Sequence, residues 1–293
     1  MRILVTGGTG FVGSHIVGRL RGEHEVVLLQ RPGTGKPAPA GISTLAGDVT
    51  DPGSLDGRLE GIDAIVHLVA VIEEHGEATF DRVIRQGTEN IVVAARDAGV
   101  PRFIHMSALG ARDDPAYPYH QAKWRAEQAV RSSGLEWTIF RPSVIFGDGD
   151  GFITVLAGVV KRFPLTPIVG SGDARFQPVQ VDDVADCFVR AIDDPDVTVG
   201  QTYELGGGKQ YTYEAMIDTI ARHQGVKRPK VHVPLPLMKA VVVGTSPLPK
   251  ALRPPVTGEQ LKMLSLDNTT ALSATGGLIG RDPLALEDGI GYL

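Results

Sequence analysis

The chain has 293 residues, of which 42% are hydrophobic and 22% are charged, and its formal net charge is −5. This composition is ordinary for a soluble globular protein, and the acidic balance argues against a general nucleic-acid-binding protein. No apolar run approaches the roughly 20 residues that cross a bilayer, and the apolar start is too short for a secretory signal, so we expect a cytoplasmic protein.

The cysteine and histidine content excludes some site chemistries. Cys187 is the one cysteine, so an internal disulfide is excluded and a reducing compartment is expected. The eight histidines show no HExxH or paired spacing, so we predict no structural metal site. His67 and His105 lie on predicted buried strands, and we expect His105 to be a satisfied core or wall residue rather than a base.

Short apolar runs alternate with segments of helical periodicity along much of the chain. Predicted buried strands lie in RILVTGG, HEVVLLQR, DAIVHLVA, RFIHMSA, EWTIFRPS and GQTYELGG. Predicted helices lie in FVGSHIVGRLRGE, EATFDRVIRQGTENIVVAARDAG, YHQAKWRAEQAVRSSG and VDDVADCFVRAIDD. Strands that alternate with helices of this length predict an α/β fold with a doubly wound parallel sheet of the Rossmann type.

The composition of the chain changes after residue 146. Glycine and proline become frequent there, and the alternation of predicted strands and helices weakens. We predict a dinucleotide-binding Rossmann domain formed by 1–146 and completed by 176–211. A smaller C-terminal substrate-side domain is then formed by 147–175 and 212–293.

A glycine pattern directly follows the first predicted strand. The segment VTGGTGFVGSH places Gly7, Gly10 and Gly13 three residues apart, between a strand and a helix. Glycines there allow a tight turn and close approach to a pyrophosphate, while the helix N-terminus adds N–H donors and the positive end of its dipole. In this context the pattern predicts a dinucleotide-binding loop rather than a bare turn.

The ends of the next strands bear on which dinucleotide binds. A carboxylate about 20 residues after the glycines would bind the ribose hydroxyls of NAD. This chain has Gln30 and Arg31 there, and the Arg31 guanidinium can bind a 2′-phosphate unless it is only a solvated loop residue. We therefore predict NADP(H) as the preferred cofactor, with NAD(H) possible. Asp48 and Val49 end the third strand, where they can reach an adenine by a hydrogen bond and an apolar contact.

These motifs resemble the short-chain dehydrogenase/reductase superfamily in its extended or atypical branch, which includes NAD-dependent epimerases and dehydratases. The segments that carry the resemblance, in the family's order, are TGGTGFVG, GDVTD, VHLVA, YHQAK and FRPSVIFG. More narrowly, FQPVQVDDVA and TYELGGGKQYTYEAM are similar to the NADPH-binding accessory subunit of respiratory complex I and its bacterial relatives.

The resemblance implies roles for individual residues. Tyr119 is the expected catalytic tyrosine, Lys123 its partner and Ser107 the expected serine. Extended members usually carry that serine slightly later, where this chain has Ala108 and Leu109. The other cofactor contacts implied by the resemblance are Thr9, Phe11, Val12, Leu68, Ala70 and Lys123, with Pro142 and Ser143 on the nicotinamide side.

The spacing of Tyr119 and Lys123 suits proton transfer. Four residues are about one helical turn, so both side chains lie on one face. The Lys123 ammonium would favour the tyrosinate and lower the pKa of Tyr119 from about 10. Tyr119 could then pass a proton to or from a substrate oxygen while a nicotinamide moves hydride. Without the glycine loop, the same spacing would indicate two packing residues on a surface helix.

One stretch is strongly basic. Residues 219–258 contain seven basic residues and neither Asp nor Glu, in a chain whose formal net charge is −5. Three interpretations are open: contact with an anionic substrate, a weak peripheral contact with an anionic membrane or protein surface, and an ordinary solvated face.

Two functions are compatible with the sequence. The first is an oxidoreductase or epimerase that uses NADP(H) on a small carbonyl or hydroxyl substrate, which the Tyr119–Lys123 pair favours. The second is a non-catalytic NADPH-binding structural, assembly or sensing protein, which the displaced serine and the basic stretch favour. The sequence leaves the substrate and the oligomeric state open.

Overall fold

A parallel sheet of seven strands organises the N-terminal part of the chain. The computed structural model describes residues 1–33, 36–245, 258–264 and 266–293. Contacts between residues divide the chain into two units. Unit 1 comprises Met1–Pro142, Val181–Leu205 and Ala274–Arg281, and unit 2 comprises Ser143–Gln180, Gly206–Ser273 and Asp282–Leu293.

Strands and helices are numbered along the whole chain, and the sheet of unit 1 confirms the predicted doubly wound architecture. Its strands are β1 (Arg2–Thr6), β2 (Glu25–Gln30), β3 (Ser43–Ala46), β4 (Ala64–His67), β5 (Arg102–Met106), β6 (Glu136–Pro142) and β11 (Gln201–Leu205). Their order is β3-β2-β1-β4-β5-β6-β11, and every pairing is parallel. The order reverses between β1 and β4, so the carboxyl ends of these two strands border the crevice in which such folds bind ligands.

Helices accompany the strands of unit 1. They are α1 (Phe11–Leu20), α2 (Gly87–Asp97), α3 (Pro118–Arg131), α5 (Val181–Asp193), α6 (Pro195–Thr198) and α10 (Thr275–Ile279), with a 3₁₀ turn at Pro52–Ser54. In α1 the buried side chains include Val12, Ile16 and Leu20, spaced so that one face meets the core. Cys187 is fully buried in α5.

The helix predicted in EATFDRVIRQGTENIVVAARDAG is interrupted. A π-helical turn at Asp81–Gln86 precedes α2. Arg85 stabilises this turn because its guanidinium pairs with Asp81 on one side and with Glu89 on the other. At the start of α2, Gly87 lies so close to Val49 that an added Cβ would come within 2.9 Å of its Cγ2 atom.

Unit 2 is built from short strand pairs and helices. Its strands are β7 (Ile145–Phe146), β8 (Thr166–Val169), β9 (Arg175–Phe176), β10 (Val179–Gln180), β12 (Tyr211–Thr212) and β13 (Lys230–Val233). Its helices are α4 (Ile153–Arg162), α7 (Tyr213–His223), α8 (Leu235–Thr245), α9 (Gly258–Met263) and α11 (Leu286–Gly289). A separate hydrophobic core, which includes Leu156, Met216, Ile220, Leu261 and Leu286, holds these elements together.

The observed division differs from the predicted domain boundaries in four places. Residues 143–146, 176–180 and 206–211, predicted in the Rossmann domain, belong to unit 2, and Ala274–Arg281 belongs to unit 1. The last difference has a physical cause, because the Arg281 guanidinium pairs with Asp183 and Asp186 of α5. Among the described residues, no helix is long and apolar enough to cross a bilayer.

Candidate functional site

The loop between β1 and α1 closes so tightly that it excludes side chains. Gly7 has a φ of +74°, a conformation that glycine adopts without strain. A Cβ added at Gly13 would lie 2.3 Å from the Gly7 carbonyl oxygen. The Gly10 amide donates to that same oxygen at 3.0 Å, which closes the turn. These glycines therefore bring the start of α1 to the carboxyl end of β1.

The N-terminus of α1 offers donors for an anion. Its first-turn N–H groups, from Phe11 to Gly13, have no carbonyl of the same helix to bind, and the N-cap residue Gly10 contributes no capping side chain. Thr9 and Phe11 are partly exposed beside the loop, whereas Val12 is buried beneath it. A glycine cradle at a helix N-terminus fits the pyrophosphate of a dinucleotide.

The predicted adenosine-side residues occupy different environments. Arg31 follows β2 and is exposed. The Asp48 carboxylate accepts hydrogen bonds from the Thr50 amide and hydroxyl, each at 2.9 Å. Val49 is only 4% exposed and its side chain packs in the core of unit 1. The Val49 side chain lies against Gly87 at the start of α2, and its expected apolar contact with an adenine remains a prediction.

A short segment after β4 connects the glycine loop to Tyr119. A Cβ at Gly7 would lie 3.3 Å from the Leu68 carbonyl carbon, so Leu68 contacts the loop. Two residues later, Ala70 packs in the same small apolar cluster as Phe80 and Tyr119. The cradle and the tyrosine thus lie at opposite ends of one three-residue segment of unit 1.

Tyr119 stands in the first turn of α3 in an apolar surrounding. The Phe80 ring packs edge-on against the Tyr119 ring, with 5.6 Å between the ring centroids. Burial raises the pKa of Tyr119 to about 12. This direction is opposite to the lowered pKa expected from the sequence, because loss of solvent disfavours the phenolate. At neutral pH Tyr119 is a neutral phenol that can donate a proton.

Lys123 lies one turn further along α3 and is 1% exposed. Its ammonium donates to the Met106 carbonyl oxygen at 2.7 Å, which anchors α3 to the end of β5. Burial lowers the pKa of Lys123 to about 8, and the negative charge of Glu127 opposes that shift. Lys123 therefore remains a cation near neutral pH and contributes positive charge on the same helix face as Tyr119.

Ser107 is committed to another partner. Its hydroxyl donates to the Glu127 carboxylate at 2.5 Å, and the residue is 3% exposed. Since a serine has one hydroxyl proton, Ser107 does not supply a hydrogen bond to a substrate oxygen in this arrangement. Ser107 therefore makes a buried structural contact in this structure, and its expected catalytic role remains a prediction.

Glu127 is the residue of this site that the sequence analysis missed. It is fully buried and binds the Arg141 guanidinium through two hydrogen bonds, at 2.8 and 2.6 Å. Arg141 is the penultimate residue of β6, and its pKa is raised by this contact with the carboxylate. The available signal was the spacing of Glu127 four residues after Lys123, which places both on one face of α3.

Two buried histidine rings are affected by the charge of Lys123. His67 and His105 are fully buried and stacked, with ring centroids 5.5 Å apart. His67 is satisfied, because its ring nitrogens bind the Thr6 and Thr88 hydroxyls. Neither ring nitrogen of His105 has a hydrogen-bond partner, so the expectation of a satisfied histidine is wrong there. Burial and the charge of Lys123 hold the pKa of His105 well below its ordinary value.

The two predicted nicotinamide-side residues fall in different units. Pro142 ends β6 in unit 1, where its carbonyl accepts from the Leu109 amide at 2.9 Å. Ser143 begins unit 2, and its hydroxyl donates to the Asn268 side-chain oxygen at 2.6 Å. The structure gives Ser143 a tethering contact within unit 2, and its cofactor contact remains a prediction.

One cluster in the described part of the chain has metal-ligand spacing. Ligand atoms of Glu23, His24 and Asp193 lie within 4.8 Å of one another. The His24 ring and the Asp193 carboxylate already form a pair at 3.2 Å. This surface cluster involves none of the residues of the glycine loop or of α3.

Comparison with known proteins gives the family and its relatives. Residues 3–206 match the family model described as the NAD dependent epimerase/dehydratase family. The chain is 28% identical to NADH dehydrogenase (ubiquinone) 1 alpha subcomplex subunit 9, mitochondrial, of Arabidopsis thaliana, over 97% of this chain and 72% of that protein. It is 30% identical to the 3 beta-hydroxysteroid dehydrogenase/Delta 5→4-isomerase of Mycobacterium tuberculosis, over 97% of this chain and 86% of that protein.

Solved structures share the fold. The dTDP-glucose 4,6-dehydratase of Streptomyces venezuelae, solved with NAD bound, superposes with a TM-score of 0.74 at 23% identity. The match covers 100% of this chain and 95% of that one. At this identity the likeness concerns the fold alone.

Proposed function

The chain belongs to the NAD dependent epimerase/dehydratase family, and from that premise we propose that it is an oxidoreductase or epimerase. It moves hydride between a nicotinamide dinucleotide, with NADP(H) preferred, and a small carbonyl or hydroxyl substrate. The observation that carries the proposal is the buried Lys123 on the same helix face as Tyr119, joined to the glycine cradle by the segment Leu68–Ala70.

Different residues of the chain would bind different parts of the cofactor. The glycine loop and the first turn of α1 suit the pyrophosphate. Arg31, exposed after β2, suits a 2′-phosphate, since no carboxylate stands at position 30 or 31 to repel it. When bound, the nicotinamide supplies or accepts the hydride.

Proton transfer belongs to Tyr119. Because burial raises its pKa to about 12, the side chain is a phenol at neutral pH and gives its proton to a substrate oxygen that is gaining negative charge. Lys123, a cation below its pKa of about 8, stabilises the tyrosinate left behind. This assignment fits reduction of a carbonyl most directly, and oxidation of an alcohol is the reverse step.

The test is substitution of Tyr119 by Phe, which keeps the ring and removes the proton. NADPH oxidation is followed by absorbance against a panel of small carbonyl compounds that includes 3-oxosteroids, in view of the steroid dehydrogenase relative. We expect Tyr119→Phe to lower turnover by about 10²–10⁴-fold and to leave NADPH affinity nearly unchanged. Tyr117→Phe is the matched control, because it makes the same chemical change two residues away. The Tyr117 ring packs under the Arg112 guanidinium, with 4.2 Å between the guanidinium carbon and the ring centroid. Full activity of Tyr119→Phe would refute the acid–base assignment.

A second function is favoured by one observation. The Ser107 hydroxyl is bound to Glu127, so the chain lacks that donor for a substrate oxygen, and one relative is named as a subunit of NADH dehydrogenase. Under this function the chain binds NADPH as a structural or sensing ligand. Tight NADPH binding by the wild type without hydride transfer to any compound of the panel would support it over catalysis.

A further inference from the structure

One edge of unit 2 exposes apolar side chains on a two-stranded ribbon. β8 and β13 pair in parallel, and Thr166 and Ile168 of β8 are buried. Since side chains alternate along a strand, the residues between and before them point to the opposite face. Val231 pairs with Pro167 and shares that outer face. The exposed apolar residues of this edge are Phe163 at 49%, Leu165 at 50% and Val231 at 44%.

Four cations flank these apolar residues. Lys161 and Arg162 end α4 just before β8, and Lys227 and Arg228 lie just before β13. The two approaches are adjacent, because the Thr166 amide donates to the Pro229 carbonyl oxygen at 2.9 Å. All four side chains belong to exposed residues. In the part of the chain that the structure describes, no ion pair involves any of them.

Two acidic residues of α7 form ion pairs on the inner face of the ribbon, away from the four cations. The Lys230 ammonium binds Glu214 at 2.6 Å and Asp218 at 2.9 Å. Lys230 pairs with the buried residue Thr166, whereas Val231 faces outward. The positive charge of the outer face is therefore left uncompensated by these two acids. Of the seven cations predicted in 219–258, Lys250 and Arg253 lie outside the described residues.

The helix that follows β13 adds apolar exposure. α8 begins with Pro236 in its first turn, where a missing N–H costs no hydrogen bond. Its side chains Leu235, Met238 and Val242 pack against the core of unit 2. The same helix also exposes apolar side chains, with Leu237 at 55%, Val241 at 41% and Val243 at 72% exposure.

We propose that residues 161–165 and 227–231, named here the basic–apolar edge, bind the surface of a membrane that contains anionic lipids. Lysine and arginine beside a negatively charged leaflet meet lipid phosphates, and apolar side chains between them enter the headgroup boundary. Separate apolar side chains among long cations suit this fluid surface better than a folded protein, which requires a continuous, closely packed interface. The contact is peripheral, reversible and salt-dependent, and it is independent of the proposed catalytic function.

The test is flotation of the full chain with vesicles. One set is phosphatidylcholine alone, and the other contains equal amounts of phosphatidylcholine and phosphatidylglycerol. Each is measured in 0.1 M and 1 M salt, where the screening length is about 10 Å and about 3 Å. We expect binding to the anionic vesicles at low salt, and loss of most of it at high salt or without the anionic lipid.

Substitutions locate the contact. Removing one cation near an anionic surface should weaken binding roughly fivefold, so K227Q/R228Q should weaken it roughly 30-fold at low salt. Leu165→Ser should weaken it at both salt concentrations, because apolar burial is not screened. The matched controls are Arg58→Gln and Val197→Thr in unit 1, both exposed positions outside the edge, and these should bind like the wild type.

Three outcomes would overturn the proposal. They are binding that ignores lipid charge and salt, variants of the edge that bind as the wild type does, and no vesicle binding under any condition. Far-ultraviolet circular dichroism of each variant shows whether it is folded. If K227Q/R228Q does not fold, K161Q/R162Q removes the other pair of cations from the same edge and tests the same point.

Discussion

At the scale of single residues, the site contains two hydroxyl groups, those of Tyr119 and Ser107, in different environments. Tyr119 keeps its proton, because burial raises its pKa to about 12. The Ser107 hydroxyl donates a hydrogen bond to the Glu127 carboxylate at 2.5 Å. We therefore propose that the acid–base chemistry, which the family resemblance assigns to a tyrosine, a lysine and a serine, falls to Tyr119 and Lys123.

Ser107→Ala should affect stability more than turnover. The lost hydrogen bond to a charged group is worth about 1.5–3 kcal/mol of unfolding free energy. Turnover should fall far less than in Tyr119→Phe, because the Ser107 hydroxyl points to Glu127 and not to a substrate. Urea unfolding and steady-state kinetics on the same preparations check this. A loss of turnover as large as that of Tyr119→Phe, with unchanged stability, would restore the serine to a catalytic role.

Arg31→Ala should weaken NADPH binding and spare NADH binding. A charged hydrogen bond to the 2′-phosphate is worth about 1.5–3 kcal/mol, and NADH lacks that phosphate. Fluorescence titration of both cofactors measures the difference, with Arg58→Ala as an exposed control in the same unit. Equal losses for both cofactors, or a wild-type preference for NADH, would contradict the assignment of Arg31.

At the scale of elements, α3 is fixed to two strands by buried polar contacts. Lys123 holds the end of β5 through the Met106 carbonyl. Glu127 binds Ser107, which follows β5, and Arg141 at the end of β6. These contacts set where the first turn of α3, and hence Tyr119, stands relative to the sheet.

Glu127→Gln should destabilise the protein and lower the pKa of Lys123 further. Breaking a buried ion pair costs about 3–5 kcal/mol, and we expect the lower end because the Arg141 side chain is 22% exposed. The Glu127 charge raises the pKa of Lys123, so its removal should shift the Lys123-dependent limb of the pH–rate profile to lower pH.

The matched control for this change is Glu89→Gln. Glu89 pairs with Arg85 at 2.8 Å on a partly exposed helix surface, where such a pair is worth about 0.3–0.5 kcal/mol. Chemical denaturation of both variants measures the two costs. Equal and small losses would show that Glu127 is not the anchor of α3.

At the scale of the whole molecule, buried histidines link stability to pH. Burial lowers the pKa of His67 to about 3 and of His120 to about 4, and the pKa of His105 lies well below its ordinary value. Unfolded histidines take up protons near pH 6.5. Between about pH 6.5 and 4 the unfolded chain therefore binds more protons than the folded one, and stability falls as the pH falls.

We expect the melting temperature to drop steadily from pH 7 to pH 5. Each of these histidines removes about 1 kcal/mol of stability per pH unit within the window. His105→Phe should reduce this pH dependence by about a third, because one of three such groups is gone, and the ring nitrogens it removes have no partner. The exposed His75 provides the control as His75→Gln. An unchanged acid dependence in His105→Phe would show that His105 protonates in the folded state.

Lys123 should make the stability of the protein depend on pH in the alkaline range. Its pKa in the folded chain is about 8, below the ordinary 10.5, so the folded state releases this proton first. The burial penalty is present below about pH 8 and is relieved as the pH rises towards 10.5. Lys123→Met should therefore flatten the stability profile between these values, measured by urea unfolding at each pH.

The sequence by itself determined the features that depend on residues close together in the chain. The spacing of Gly7, Gly10 and Gly13 after an apolar strand predicted the tight loop, because only glycine fits there. The alternation of strands and helices predicted the doubly wound sheet, and the spacing of Tyr119 and Lys123 placed both on one helix face. Helical periodicity and backbone sterics act over a few residues, so a sequence displays them directly.

Only the tertiary structure decided which groups share protons and charges. Ser107 and Glu127 are 20 positions apart, and Lys230 meets Asp218 across 12 positions. The pKa of Tyr119 is raised by the apolar residues that the fold packs around it, although a lysine lies one turn away. Hydrogen bonding and desolvation act through space between distant segments, so these properties appear only once the chain is folded.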